Sequence, residues 1–384
     1  MAFQPAPKFW LYSHNFTHTG APLVLRAIAR ELAEQGWRRR LRLLSWGGHH
    51  DRVHNKLRQE LEAEGFYCRV LNLEETAPKP KTNDRILLNT IALPPAVIKT
   101  ALAWLEHGEI KRLDWYGHEG NPSQQLPDKQ WTQRLVPLLT KGILQMRVPS
   151  IHTLRSYQNW LGYSGENLAV QNPKLNIKNT VETKKKDFSE LKFHLTGMAG
   201  DGNKGHIWLI RLMQELLNAE SQIDKKKVSN LRKIKLHFIG LEIDKNASLA
   251  RELRYWGGAI MGENFSWVGQ SNHEDTINTM AMANIAVSCS KAETFSMAAL
   301  EAMHLGNLLL RNRTGGWEEQ LIDGVNGFDL GETVQNPGKK QIELVHRIRD
   351  THLTPTNKLV EMSIAAKKHS QNFQNIKYAN WLLK

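Results

Sequence analysis

The chain has 384 residues, of which 41% are hydrophobic and 23% are charged, and this composition excludes an intrinsically disordered protein. Its length predicts two domains of ordinary size, each with its own hydrophobic core. The net charge of +13 favours an anionic partner, such as nucleic acid, anionic lipid or a phosphorylated substrate, although a basic surface can also serve solubility alone.

Cysteine usage and apolar segments predict an intracellular protein without a membrane span. Cys68 and Cys289 fit no metal or disulfide spacing, which favours a reducing compartment. The first residues, MAFQPAPKFWLY, lack the charged start and the long apolar core of a signal peptide. Residues 86–105 are strongly apolar but are interrupted by polar residues and two prolines, so we expect a strand, a turn and a helix there. The expected location is the cytoplasm, with peripheral association at the inner membrane face as an alternative.

Alternating strand-like and helix-like segments in the first half predict a doubly wound parallel sheet. Strands are expected at residues 9–13, 41–46, 85–92, 113–117, 142–148 and 167–172. Residues 23–36 have helical apolar spacing and end at Gly36. Residues 173–190 lose this periodicity and carry a run of lysines, so we expect them to connect two domains.

The second half repeats the alternation and predicts a second domain of the same kind. Strands are expected at residues 193–197, 234–240, 265–269, 284–290 and 307–312. The predicted division is an N-terminal domain (1–190), a C-terminal domain (191–356) and a helical tail (357–384), for which packing against the N-terminal domain is one expectation. The predicted fold class is α/β, with two Rossmann-like doubly wound parallel-sheet domains that face a central cleft. Ligands are expected at the carboxyl ends of the strands.

The segment VSCSKAETFSMAALEAMHLGNLLLRNRTGGWEEQLIDGVNGF (287–328) is the most informative for function. Glu293 precedes a short helix that is apolar nearly all round, and Glu301 lies within it. Free backbone N–H groups at the start of such a helix favour an anion, whereas carboxylates suit the hydroxyl groups of a sugar or ribose. A sugar nucleotide carries both kinds of group. The structural alternative is that a neighbouring arginine or a backbone N–H group satisfies each carboxylate.

This segment closely resembles the donor site of retaining glycosyltransferases of family 4, which have the GT-B fold. The matching positions are Ser290 with Glu293, Glu301, Ala302-Met303 with Gly306, Gly315-Gly316 with Glu319, and Asp323-Gly324 with Gly327. Four more segments resemble the family in the same order along the chain: THTGAP (17–22), WYGHE (115–119), TGMAGDGNKGHIWLI (196–210) and FSWVGQ (265–270). The resemblance therefore implies a GT-B fold for nearly the whole chain, with the acceptor side in residues 1–190 and the nucleotide-sugar donor domain in residues 191–356.

The resemblance also implies a role for each matching residue. Glu301 would bind the ribose hydroxyls and Glu293 the hydroxyls of the donor sugar, while Lys204 would neutralise the diphosphate and support departure of the leaving group. His118 would bind a hydroxyl of the reacting sugar, and the expected catalytic residues are His118, Glu293 and Lys204. The other positions expected to bind the donor are Gly20, Gly197, Met198, Gly269, Phe295, Ser296 and Met297, the last three through backbone N–H groups.

The reaction that the resemblance implies is transfer of a sugar from a nucleoside-diphosphate sugar to a hydroxyl acceptor, with retention of anomeric configuration. No metal and no other cofactor is expected. The expected partners are the nucleotide sugar and an acceptor of unknown class in polysaccharide or glycolipid biosynthesis, and no specific nucleic acid is expected.

Two positions depart from the family pattern and keep alternatives open. Met198 stands where the family usually has an arginine beside the diphosphate, so a catalytically degenerate nucleotide-sugar-binding relative is an alternative. Residues 294–296 read Thr-Phe-Ser where the family has Gly-Phe-Gly. From its charge alone, the chain is also consistent with a nucleic-acid-binding protein. The histidine cluster at 49–54 suits a metal or a helix cap, and the basic run at 38–42 suits an acceptor-facing or membrane-facing patch or a solvated edge.

Overall fold

The structure is a computed structural model that describes residues 6–17, 20–46, 52–177, 186–197, 203–221, 233–240, 248–269, 273–332, 347, 349–351 and 353–384. It divides into two compact units. The N-terminal unit comprises Met1–Lys174 and Asn375–Lys384, and the C-terminal unit comprises Leu175–Gln374. Part of the predicted connection, residues 178–185, lies outside the described residues.

The N-terminal unit contains a seven-stranded parallel sheet in the order β3-β2-β1-β4-β5-β6-β7. Its strands are β1 (Phe9–Ser13), β2 (Leu41–Trp46), β3 (Cys68–Leu71), β4 (Arg85–Leu88), β5 (Leu113–Tyr116), β6 (Leu144–Val148) and β7 (Leu168–Val170). Its first helices are α1 (Gly20–Leu32), α2 (Arg52–Ala63), α3 (Pro95–Glu106), α4 (Pro122–Gln125), α5 (Lys129–Thr140) and α6 (Ile151–Leu161). The strand order reverses between β1 and β4, and ligands of such sheets bind at the carboxyl ends of the strands beside this point.

Both faces of this sheet are covered by helices, as the continuous apolar strands require. Successive side chains of a strand point to opposite faces, so Phe9 and Leu11 lie in one core cluster and Trp10 and Tyr12 lie in the other. The first cluster includes residues of α1 and α2, and the second includes residues of α3, α5 and α6.

The C-terminal unit contains a six-stranded parallel sheet in the order β10-β9-β8-β11-β12-β13. Its strands are β8 (Glu190–Thr196), β9 (Lys233–Ile239), β10 (Phe265–Val268), β11 (Ile285–Ser288), β12 (Leu308–Arg311) and β13 (Gly327–Asp329). Its helices are α7 (His206–Ser221), α8 (Ser248–Met261), α9 (His273–Met282), α10 (Met297–His304), α11 (Trp317–Gln320) and α12 (Thr356–Ser370). Here the order reverses between β8 and β11, which places the loops after these two strands beside each other.

The predicted α/β class with two Rossmann-like parallel-sheet domains is confirmed. The predicted strands all form, most of them one to four residues shorter than predicted. The sequence analysis missed β3 and β13, the latter only three residues long. The segment 86–105 forms part of β4, a turn and most of α3, as predicted. Within the described residues, no helix has the length and apolar character that crossing a membrane requires.

The end of the chain belongs to both units rather than to one tail. The predicted tail begins at residue 357, but α12 packs against α10 and lies within the C-terminal unit. Helix α13 (Ala379–Leu382) belongs to the N-terminal unit, where Tyr378 and Trp381 are part of the core cluster around α1. The backbone N–H of Ala379 donates to Glu31 at 2.8 Å, and Arg112 donates to the carbonyl of Trp381 at 3.0 Å.

The buried imidazole of His194 on β8 predicts a pH dependence of stability. His194 is 2% exposed, and Thr196 and Asn307 lie at hydrogen-bond distance from its two ring nitrogens. Burial, with Lys186 and His237 nearby, lowers the pKa of His194 to about 3. Below about pH 6.5 the His194 imidazole is therefore protonated in the unfolded chain but stays neutral in the folded chain. The free energy of unfolding falls as the pH decreases from there.

We expect His194 alone to lower the free energy of unfolding by about 1.4 kcal/mol per pH unit below pH 6. Urea unfolding of the wild type and of His194→Gln at pH 7.5 and pH 5.0 measures this contribution. The wild type should lose about 2 kcal/mol more than the variant over this interval. Equal losses in the two proteins would contradict the prediction.

Candidate functional site

The C-terminal unit brings Lys204 and Glu293 together at the carboxyl ends of β8 and β11. Lys204 Nζ donates to Glu293 Oε2 at 2.7 Å, and the two side chains are 28% and 13% exposed. Gly197, directly after β8, allows this approach, because a Cβ atom there would lie 3.0 Å from Lys204 Cγ. The pair is therefore preformed and partly accessible to a ligand.

The environment of Glu293 keeps its carboxylate ionised. Burial raises its pKa, but Lys204, the Arg311 guanidinium and the backbone N–H of Thr294 outweigh burial and hold the pKa below the usual range. The Thr294 N–H donates to Oε1 at 3.0 Å. An ionised carboxylate accepts hydrogen bonds only, which suits the hydroxyl groups of a sugar.

The loop before Glu293 is tied to the loop that carries Lys204. The Asn203 side chain accepts from the backbone N–H of Ala292 at 3.0 Å and donates to the Ala292 carbonyl at 3.1 Å. Gly205 has a φ of +77°, and a Cβ atom there would lie 2.5 Å from the carbonyl oxygen of Cys289. Both contacts fix the position of Lys204 relative to Glu293.

The Gly315-Gly316 turn packs directly on the backbone of residues 293–295. A Cβ atom at Gly315 would clash with the Glu293 carbonyl and the Thr294 backbone, and one at Gly316 would lie 2.5 Å from the Phe295 carbonyl oxygen. Gly316 also has a φ of +80°. Two glycines are needed at this turn because another backbone approaches it closely.

A buried arginine holds the same loop from the sheet side. Arg311, at the end of β12, is fully buried and donates to the carbonyls of Phe295 (3.2 Å) and Gly315 and to the side chain of Gln320. Gln320 in turn donates to the Phe295 carbonyl at 2.8 Å and to the Ser296 carbonyl at 3.2 Å. Burial lowers the pKa of Arg311 to about 10, so it stays charged at neutral pH.

Ser296 occupies a backbone conformation that normally requires glycine. Its φ is 65° and its ψ is 81°, and it is the one non-glycine residue with positive φ among the described residues. It precedes Met297, the first residue of α10, and no described side chain caps this helix. The first N–H groups of α10 therefore lack intrahelical partners and suit an anion or a hydroxyl oxygen.

The strain at Ser296 predicts that glycine is favoured there. Left-handed backbone costs a non-glycine residue about 1–2 kcal/mol, whereas glycine loses somewhat more entropy on folding. We expect the free energy of unfolding of the Ser296→Gly variant, measured by urea titration, to be about 1 kcal/mol higher than that of the Ser296→Ala variant. A more stable alanine variant would contradict the conformation described for Ser296.

Glu301 has a partner that the sequence analysis missed. Its Oε1 lies 2.7 Å from His273 Nε2, and the two side chains are 14% and 44% exposed. His273 is the first residue of α9, the helix that follows the strand predicted to end at Gly269. A histidine at the start of this helix was the signal in the sequence. The partner of Glu301 is thus a histidine, where the structural alternative named an arginine or a backbone N–H group. Glu293 has a lysine and a backbone N–H group as partners.

The N-terminal unit places His118 beside the start of α1. His118 Nε2 lies 3.2 Å from Asn89 Oδ1, and the Asn89 amide donates to the carbonyl of Ala21 at 2.8 Å. Asn89 thus links His118 to the helix that begins at Gly20. Burial, with His14 nearby, lowers the pKa of His118 to about 3, so its imidazole is neutral. Since Nε2 donates to Asn89, Nδ1 carries a lone pair that can accept a hydroxyl proton.

Glu119 anchors the loop that carries His118. Its carboxylate accepts from the Thr90 hydroxyl and from the backbone N–H of Ile91 at 3.0 Å. Burial raises the pKa of Glu119 above the usual range despite these bonds. The motif WYGHE therefore contains one residue that holds the loop, Glu119, and one available to a ligand, His118.

The remaining predicted donor positions lie in varied surroundings. Phe295 is buried and its ring packs against Phe373 with centroids 5.6 Å apart, so only its backbone can contact a ligand. At Gly20 and Gly269, a Cβ atom would meet no described atom within 4 Å. Met198 and residues 49–51 of the histidine cluster lie outside the described residues. In the described part of the chain, no three His, Cys, Asp or Glu side chains form a group that could hold a metal ion.

Much of the C-terminal half of the chain matches the sequence pattern of a known protein family. Residues 201–368 match the family model described as glycosyl transferases group 1. The matched region contains Lys204, His273, Glu293, Glu301 and Arg311. No curated protein matches the chain by sequence.

Solved structures show the fold of the whole chain. HepE from Anabaena, in complex with UDP and glucose, has a TM-score of 0.68 at 15% identity over 98% of each chain. A glycosyltransferase from Rickettsia africae has a TM-score of 0.66 at 13% identity, over 96% of this chain and 95% of that chain. Sucrose-phosphate synthase from Thermosynechococcus elongatus has a TM-score of 0.65 at 16% identity, over 98% and 97%. The fold is therefore GT-B, as predicted.

Proposed function

We propose that this chain is a retaining glycosyltransferase of family 4, which transfers a sugar from a nucleoside-diphosphate sugar to a hydroxyl acceptor. The observation that carries the proposal is the preformed pair of Lys204 and Glu293, 2.7 Å apart, within the match to glycosyl transferases group 1. The lysine supplies a cation for a diphosphate and the ionised carboxylate supplies acceptors for sugar hydroxyls. In a sugar nucleotide the diphosphate is bonded directly to the sugar, so its site requires the cation and the hydrogen-bond acceptors beside each other.

The nucleotide is proposed to be uridine diphosphate. HepE, which shares the fold, was solved with UDP and with UDP-glucose. Glu301 is assigned to the ribose hydroxyls, and His273 orients its carboxylate. The backbone N–H groups of Ser296 and Met297 at the start of α10 are assigned to the sugar or the phosphates.

In the proposed reaction, the bond between the anomeric carbon and the β-phosphate oxygen breaks as the acceptor oxygen bonds to that carbon on the same face. The acceptor proton moves to the leaving phosphate oxygen, so configuration is retained and no metal or other cofactor takes part. Lys204 stabilises the charge that develops on the departing diphosphate. His118 is assigned to a hydroxyl of the reacting sugar. This hydroxyl donates a hydrogen bond to Nδ1 of the neutral imidazole.

The acceptor is proposed to be a hydroxyl-bearing glycan or glycolipid in the cytoplasm, with peripheral association at the membrane. The surface at residues 37–42 supports association with an anionic surface. The Arg40 guanidinium lies 4.1 Å from the Trp37 ring, and Arg42 lies 5.0 Å from the ring of Tyr67, which is 49% exposed. Basic groups beside accessible aromatic rings suit the interface between water and anionic lipid.

Thermal unfolding of the full chain with UDP, GDP, ADP or no nucleotide tests nucleotide binding. A nucleotide at about a hundredfold over its dissociation constant should stabilise the protein by about 2.7 kcal/mol. UDP is expected to raise the melting temperature most. If none of the three raises it, the proposed donor site is wrong. If one does but no sugar nucleotide is consumed, the chain is the non-catalytic relative that Met198 suggests.

A further inference from the structure

A polar cavity of about 350 Å³, open to solvent, lies in the N-terminal unit and shares no residue with the group around His118. Residues of the sheet and residues of the C-terminal segment both line it, among them Arg112, Arg147, Gln171, Asn380, Trp381 and Lys384. Its volume is in the range of pockets that hold small molecules. The donor and acceptor roles proposed above leave this cavity unassigned.

The cavity has an excess of positive charge. Three of its lining residues are cationic, and one of them, Arg112, pairs with the carboxylate of buried Asp114, which accepts from Arg112 Nε at 2.9 Å and from Nη2 at 2.6 Å. Arg147 is fixed in place, since its Nη1 donates to the carbonyls of Met146 (2.8 Å) and Asn167 (3.2 Å). Two held guanidinium groups and Lys384 therefore favour an anion.

The Trp381 ring lies at one wall of the cavity, and this residue is 6% exposed. The Arg147 guanidinium carbon lies 5.6 Å from the centre of the Trp381 ring, so indole and guanidinium share one wall. Contact with the aromatic ring further restricts the Arg147 guanidinium.

We propose that this cavity binds a phosphate monoester of about the size of a hexose phosphate. The guanidinium groups match the geometry of phosphate oxygens. The side-chain amides of Gln171 and Asn380 suit hydroxyl groups of the ligand. Because the lining joins the sheet to the segment 380–384, the bound ligand strengthens the attachment of α13.

Isothermal titration of the full chain with glucose 6-phosphate, inorganic phosphate and glucose tests this site. Glucose 6-phosphate should bind, inorganic phosphate should bind at least about tenfold more weakly, and glucose should not bind measurably. Arg147→Gln should weaken the binding of glucose 6-phosphate at least about tenfold, since one charge-assisted contact is lost. Asn380→Ala with Lys384→Ala is the second variant, because it removes ligand contacts without touching the sheet.

Two controls separate this site from the proposed donor site. Lys204→Ala should leave the affinity for glucose 6-phosphate unchanged, so the result does not depend on the proposed glycosyl transfer. Glucose 6-phosphate should also slow hydrogen exchange of the α13 amides in the wild type. The proposal is overturned if glucose 6-phosphate does not bind, or if Lys204→Ala abolishes its binding while the cavity variants retain it. Equal affinity for inorganic phosphate would overturn the assignment of the hydroxyl contacts.

Discussion

Replacement of Lys204 by alanine is expected to lower kcat/KM for the proposed glycosyl transfer by about a hundredfold to a thousandfold. This is the effect of removing one preorganised group that stabilises charge on a leaving or reacting oxygen. In this chain the effect should be large because Lys204 is held at 2.7 Å from Glu293, and methionine stands at position 198, where glycosyltransferases of family 4 usually have an arginine. Steady-state kinetics with the preferred sugar nucleotide measures it.

Lys291→Ala is the matched control for Lys204→Ala. Lys291 is exposed and lies two residues before Glu293, so its loss changes the charge of the same loop without removing the proposed contact. Its kcat/KM should stay within about threefold of the wild type, since exposed charges are well screened. Similar losses in both variants would mean that general electrostatics, and not a specific contact, explains the effect of Lys204.

Replacement of Arg311 by methionine is expected to lower the free energy of unfolding by about 3–5 kcal/mol. Arg311 is fully buried and holds the carbonyls of Phe295 and Gly315 and the side chain of Gln320. Methionine fills a similar volume but leaves these acceptors without the Arg311 donors and removes a cation near Glu293. Urea unfolding followed by circular dichroism measures the loss.

Arg313→Met is the control for this second prediction. Arg313 lies two residues further along, with its side chain 48% exposed, and pairs with Asp329 at 2.7 Å. A surface ion pair of this kind contributes up to about 1 kcal/mol. If Arg311→Met is no more destabilising than Arg313→Met, Arg311 does not support the loop at 293–296 as described.

Much of the architecture was predictable because the strands are buried on both faces and stand out as short apolar runs. Parallel strands such as β1 and β11 have four or five consecutive buried residues, and turns or helices separate them. β3 was missed because its edge position leaves Arg69 exposed and only Leu71 fully buried. β13 was missed because it is three residues long and begins at Gly327, which lies against the Leu309 backbone.

Residue pairs within the site were less predictable, since they depend on which strand ends are neighbours. The resemblance to family 4 proposed roles for Lys204 and Glu293, but nothing in the spacing of 89 residues between them predicts a hydrogen bond. His273 and Asn89 were not singled out, because a histidine at a helix start and an asparagine after a strand are common features. In the sequence, Arg311 is only the last residue of an apolar strand. The fold shows that its guanidinium is buried under the loop that contains Phe295.

The most direct test of the central claim is consumption of a sugar nucleotide by the purified chain. Proton and phosphorus NMR of mixtures with UDP-, GDP- and ADP-sugars and a hydroxyl acceptor would follow release of the nucleoside diphosphate and the anomeric configuration of the product. We predict that a UDP-sugar is consumed with retention of configuration, and that Lys204→Ala and Glu293→Ala remove most of this turnover. Turnover that survives both substitutions, or a product of inverted configuration, would contradict the proposed site and mechanism.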